Sequence, residues 1–180
     1  MAGDNGKQKT ARNMLYSLGV TLLAGLVMWA FIPHDDREPD LQRVDYRVEL
    51  LTARRAAPYP VAAPEGLPEG WKATSVRYRG SESDTWHLGF HLADGQYVQV
   101  EQSTGKASAF IAEASQGATA TDVTEEIDGR SWTRYEGGRY KALVLKDTGG
   151  VKGATTVVAG TGSFSQLTKM AGALEMSRTS

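Results

Sequence analysis

The chain has 180 residues, with 20 basic side chains against 21 acidic ones, a formal net charge of −1 and no cysteine. That balance excludes a basic nucleic-acid-binding surface. The lack of cysteine excludes disulfides, thiolate metal sites, a cysteine nucleophile and a lipoprotein anchor.

Residues 1–13 are polar, carry Lys7, Lys9 and Arg12 against Asp4, and are expected to form a disordered cytoplasmic tail. Residues 14–32, MLYSLGVTLLAGLVMWAFI, are nineteen residues without a charged side chain. As a helix rising ~1.5 Å per residue they reach ~28 Å, close to the ~30 Å hydrocarbon thickness of a bilayer. Tyr16, Trp29 and Phe31 lie towards the ends, where amphipathic rings favour headgroups, and Pro33 stops the helix. The basic side precedes the run, and Asp35, Asp36, Glu38 and Asp40 follow it. The positive-inside rule therefore puts the N-terminus in the cytoplasm and residues 34–180 outside, in a single-pass protein of the cell membrane. A cleaved signal peptide is the rival reading, but the run is long for one and bulky residues crowd the cleavage region. A buried helix of a soluble protein fits less well, because apolar residues surround the helix instead of forming one stripe. Ser17, Thr21 and Gly25 recur every four residues as a small-residue ridge on which a second copy could pack.

Residues 33–43 read as a charged linker, and residues 44–180 as the extracytoplasmic domain. In DYRVELLTARRA, helix and strand patterns compete and neither prevails. The proline-rich APYPVAAPEGLPEGW reads as an extended loop ending at Trp71. Strand patterns follow. Ala73, Ser75 and Arg77 alternate with Thr74, Val76 and Tyr78; then Trp86, Leu88, Phe90 and Leu92 alternate with His87, Gly89 and His91. A two-residue turn at Asp94-Gly95 would set Leu88 against Glu101 and mix the faces. A three-residue loop with a left-handed Gly95 pairs Phe90 with Val98, Leu88 with Val100, His91 with Tyr97 and His87 with Glu101, so both faces sort.

ASAFIAEAS, residues 107–115, is expected to be a short helix burying Phe110 and Ile111. Strands are expected over residues 123–127, 130–136, 140–146 and 155–159, joined by hairpin turns at Asp128-Gly129, Gly137-Gly138 and residues 147–153. A closing helix follows, with Ser163 and Gln166 as a capping box and Phe164, Leu167, Met170, Ala171 and Leu174 on one face. The fold class is thus α+β: a largely antiparallel sheet of six to seven strands with a C-terminal helix and one or two short helices packed on it, preceded by one transmembrane helix.

PEGLPEGW (residues 64–71), GRSW (residues 129–132) and the terminal VVAGTGSFSQLTKMAGALE resemble a family of actinobacterial single-pass membrane proteins with an extracytoplasmic domain of unknown function. The resemblance implies an envelope-facing protein and supplies no activity, substrate or catalytic residue. The closing strand-helix run is also similar to extracytoplasmic regulatory domains that sit beside anti-sigma factors.

The candidate surface or cleft residues are His87, His91, Tyr97 and Glu101. On a strand, His87 and His91 stand ~13 Å apart, too far to share one ion, so no metal and no cofactor are expected. Gly160-Thr161-Gly162 reads as a tight strand-to-helix turn, since no parallel crossover unit surrounds it. No Gly-x-Ser-x-Gly elbow or Ser-x-x-Lys occurs, and Glu125 and Glu126 point to opposite faces of a strand. Trp71, Trp86 and Trp132 fit a core better than a ligand platform. The expectation is a non-catalytic interaction or sensory module of the envelope, with a membrane partner through its helix and an envelope protein or second copy beside it. The alternative is a binder of a lipid or glycan in a cleft between sheet and helices, and an enzyme comes third.

Overall fold

The computed structural model describes residues 5–31, 42–146 and 154–179. The first four residues of the expected tail, residues 33–41 of the linker and the 147–153 turn lie outside them. The chain divides into two units, residues 1–40 and 41–180.

The first unit holds α1 (Asn5–Phe31). Residues 5–13 are therefore helical, where a disordered tail was expected. Lys, Gln, Ala and Arg are good helix formers, and a helix nucleated in the apolar run extends cheaply through them. Thr21 Oγ1 donates to the Ser17 carbonyl at 2.9 Å, folding part of the small-residue ridge back onto its own helix. Among the described residues, no helix is long and apolar enough to cross a membrane. Side chains of α1 are described over residues 13–29, so the apolar run of residues 14–32 continues past them.

The second unit is α+β. A seven-stranded antiparallel sheet has the order β2-β3-β4-β8-β7-β6-β5, built from β2 (Lys72–Arg79), β3 (Thr85–His91), β4 (Tyr97–Ser103), β5 (Thr119–Ile127), β6 (Arg130–Glu136), β7 (Lys141–Leu145) and β8 (Thr155–Gly160). The β3–β4 register pairs Phe90 with Val98, Leu88 with Val100, His91 with Tyr97 and His87 with Glu101, as the facial sorting predicts. Gly95 supplies the left-handed residue (φ +76°), and its N–H donates to the Leu92 carbonyl at 3.0 Å. The β5–β6 hairpin turns on Asp128 and Gly129, both at positive φ, which matches the right-handed twist of the strands.

One face of the sheet carries Trp86, Leu88, Val100, Trp132, Leu143 and Val158 into the main core. α4 (Phe164–Gly172) closes over it with Leu167 and Met170, both fully buried. Ser163 and Gln166 form the predicted capping box at its start. α2 (Arg47–Ala56) resolves the ambiguity of DYRVELLTARRA in favour of a helix: it buries Ala53, and Glu49 accepts from the Tyr78 N–H of edge strand β2 at 3.1 Å. On the opposite face, α3 (Ala107–Ala114) places Ile111 and Ala114 over Val157, Ala159, Ala142 and Val144. Phe110 is only half-buried there.

Two expectations need correcting. Within the proline-rich loop, β1 (Val61–Pro64) pairs antiparallel with β9 (Leu174–Ser177). Leu174 thus belongs to a strand and not to the last turn of a helix, because α4 ends at Gly172, a poor helix residue. Side chains tie β1 to the main sheet. The buried Gln102 accepts from the Ala62 N–H at 2.7 Å and donates to the Pro60 carbonyl and to Thr156 Oγ1, while Trp86 Nε1 donates to the Ala62 carbonyl at 2.9 Å. Pro64 ends the strand, where a missing donor costs little.

Candidate functional site

α3 covers the β7, β8 and β4 side of its face and stops short of β2, whose Arg77 and Arg79 are exposed. The step between helix and bare sheet forms a cleft of about 330 Å³. Its floor is two rows of the sheet: Arg77, His87 and Glu101 in one, Arg79, Thr85 and Ser103 in the next. Its wall is Lys106, Ala109, Phe110 and Glu113 on and before α3. Arg79 pairs with Glu82 at 2.6 Å. Arg77, Lys106 and Glu113 line the cleft with no ion-pair partner among the described residues. With a neutral His87 ring, the three cations of the lining, Arg77, Arg79 and Lys106, face three carboxylates, Glu82, Glu101 and Glu113, beside the half-buried ring of Phe110.

His87 is 7% exposed. Its Nδ1 lies 2.6 Å from Glu101 Oε1 and its Nε2 lies 2.9 Å from Ser75 Oγ. A carboxylate only accepts, so Nδ1 of the neutral ring carries the proton, and Nε2 accepts from the Ser75 hydroxyl. The spacing is that of a nucleophile, a base and an orienting carboxylate. The serine, however, lies one row beyond His87, away from the cleft, and is not among the residues that line it. With both ring nitrogens engaged, the imidazole is held in place as part of the floor.

Tyr97 reaches across Gly89 to the Ser75 hydroxyl, filling the space a side chain at Gly89 would need. Burial pushes its phenol above the ordinary value, with Glu101 and Tyr140 adding to the effect and Ser75 and Arg77 opposing it. His91 packs its ring against Tyr97 at 5.4 Å between centroids, and Tyr140 follows at 6.3 Å. The four candidate residues on the sheet thus share one face, but only His87 and Glu101 reach the cleft. Among the described residues, no cluster of three or more acidic or histidine side chains could hold a metal ion.

Ser75, Arg77, Lys106 and Phe110 complete the arrangement and were not singled out from sequence. Their signal was indirect: a β-bulge between Ala73 and Ser75 shifts the register by one residue. Ala73 therefore joins the core, while Ser75 and Arg77 turn to the open face. Gly160-Thr161-Gly162 does form a strand-to-helix turn, tied to β4 by Tyr97 N–H to Thr161 Oγ1 and Thr161 N–H to the Tyr97 carbonyl, both at 2.9 Å. Trp71, Trp86 and Trp132 are core, at 9%, 0% and 0% exposure. A smaller depression of about 250 Å³ lies where Tyr46, Trp71 and Phe90 meet the loop of residues 64–71.

Fold and cleft together define an α+β domain built on a continuous antiparallel sheet, with one polar hollow under a short helix. The chain belongs to the family described as proteins of unknown function, DUF4245, whose profile matches residues 7–174. No curated protein and no solved structure matches the chain.

Proposed function

We propose that this protein is a single-pass, membrane-anchored module of the cell envelope whose extracytoplasmic domain senses or binds a small anionic ligand in the cleft beneath α3. The observation that carries the binding reading is the cleft itself: a polar hollow of about 330 Å³ in which Arg77 and Lys106, like Glu113 opposite, have no ion-pair partner among the described residues. Phe110 adds an apolar wall against which a ring or short chain can lie. A carboxylated or phosphorylated glycan fragment, or a lipid headgroup, has that chemistry.

The anchor reading rests on residues 14–32. Every large apolar side chain described on α1, from Met14 to Trp29, is 47–74% exposed. That much contiguous apolar surface calls for a cover other than water, and the proposal counts residues 30–32 in the span as well. The charge asymmetry around the run supports a cytoplasmic N-terminus. An actinobacterial envelope is the setting that the sequence resemblance implies, and the ridge of Ser17, Thr21 and Gly25 is the face on which a second copy would pack.

Native mass spectrometry of the full chain, released from its host's membrane in mild detergent, tests the binding reading. A bound mass that disappears in Arg77→Ala and Lys106→Ala supports it. A chain that carries no small molecule, or one whose retention ignores both substitutions, overturns it in favour of recognition through protein surfaces.

A further inference from the structure

α2 does two jobs with two faces. Ala53 and the half-buried Leu50, Arg54 and Glu49 turn inward to β1, β2 and the main core. The remaining arc carries Arg47, Val48, Leu51, Thr52, Arg55 and Ala56, all exposed, and contains no acidic side chain. At 100° per residue these six positions fall within one half of the helix circumference, with Leu51 between Arg47 and Arg55 and Val48 just beyond Arg55. Outside α1, the exposed large apolar side chains among the described residues are Val48 at 75%, Leu51 at 48% and Val123 at 48%. Two of the three therefore sit together on this one arc. Arg43, also exposed, adds a third cation just ahead of the helix.

Aliphatic side chains set among arginines, on a helix that already has its own core contact, suit a surface that is apolar inside and negatively charged outside. We propose that the outer arc of α2 docks onto the anionic lipid headgroups of the bilayer in which the chain is anchored. This inference rests on the anchor reading. Even fully stretched, the stretch from Phe31 to Arg47 spans no more than ~55 Å, so α2 stays within reach of that surface. Arg47 and Arg55 meet lipid phosphates, and Val48 and Leu51 enter the headgroup boundary. Glu49 is half-buried and accepts from Tyr78 N–H, while Asp45, exposed ahead of the helix, accepts from the Arg47 N–H at 3.0 Å and sets one negative charge against the three arginines.

The chain has no cysteine, so a single introduced one reports a single place. Full-length Val48→Cys, Thr52→Cys and Ser108→Cys, the last exposed on α3, are labelled with an environment-sensitive fluorophore. They are then reconstituted into phosphatidylglycerol vesicles containing brominated lipid. Quenching at positions 48 and 52 but not at 108, reduced roughly fivefold by Arg47→Glu with Arg55→Glu, is the expected result. Equal quenching at all three positions, or none at 48 and 52 in a chain that floats with the vesicles, overturns the docking while leaving the anchor intact. Undiminished quenching at 48 in phosphatidylcholine vesicles overturns the assignment to anionic lipid. A chain that fails to float removes the anchor, and the docking with it.

Discussion

Tyr97 occupies the place where a side chain on Gly89 would have to go. A Cβ built there collides with the phenol and with the Ser75 hydroxyl, so the absence of a side chain on β3 is what lets an aromatic ring cross it. Gly89→Ala is expected to destabilise the full chain by ~1–3 kcal/mol, the usual range for overpacking. In a double-mutant cycle, Tyr97→Ala will recover part of that cost, because the two substitutions share one space. Additive losses in denaturant titrations would show that the ring does not lie there.

The second prediction concerns His87. Glu101→Ala leaves the Nδ1–H of a nearly buried imidazole without its acceptor, a loss of ~1–3 kcal/mol for a group unable to reach water. Glu101→Gln keeps an acceptor and will lose less. Nitrogen NMR of the imidazole gives an independent check: the wild-type ring is expected as the Nδ1–H tautomer, and an Nε2–H ring would reverse the hydrogen-bond direction assigned to Ser75.

Alkaline stability will follow the tyrosines beside Asp84. Tyr78 donates to Asp84 Oδ1 at 2.9 Å; burial first, then this hydrogen bond and the carboxylate charge, push its phenol from 10.0 up to about 12. Burial also raises Tyr59, with Tyr78 and Asp84 adding to the shift, and its hydroxyl donates to the backbone carbonyls of Asp84 and Gln102. A folded-state value above the unfolded one means that the stability is complete below pH 10 and is lost as the pH rises towards 12. Unfolding titrations between pH 8 and 12 will show that decline, and Tyr78→Phe will flatten it. An unchanged slope in the variant would assign the decline to other groups.

The two most deeply buried tryptophans are expected to differ. Both Trp86 and Trp132 are 0% exposed, but Trp86 Nε1 donates to the Ala62 carbonyl, whereas Trp132 Nε1 has no partner among the described residues. Replacement by Phe leaves a similar void at each site. At position 86 it also strands a carbonyl of β1. Trp86→Phe will therefore cost ~1 kcal/mol or more beyond Trp132→Phe, measurable as a difference in denaturation midpoints at equal m-value.

What could be read in advance was whatever local pattern decides. The β3–β4 register follows from alternation plus one glycine, and it brings His87 opposite Glu101. The α4 cap followed from Ser163 and Gln166. β1 and β9 were hidden because VAAP looks like a proline-rich loop and LEMS like a helix end; each becomes a strand only because the other is there. The cleft was hidden for a related reason. It depends on how α3 lies across β8 and β4, and on a bulge that sends Ser75 and Arg77 to the same side as His87.

The pairing of Val61 with Ser177 also sets an order of events. Among the described strands of the domain β1 is the first to be synthesised and β9 the last, so β1 has the Gln102 and Trp86 groups early but waits for its pairing partner until the entire sheet is made. Contacts that distant in sequence form late and slowly. During refolding, the closure of β1 on β9 will lag behind formation of the β3–β4 hairpin, and a growing chain will stay open to proteases along residues 58–64 until β9 is made.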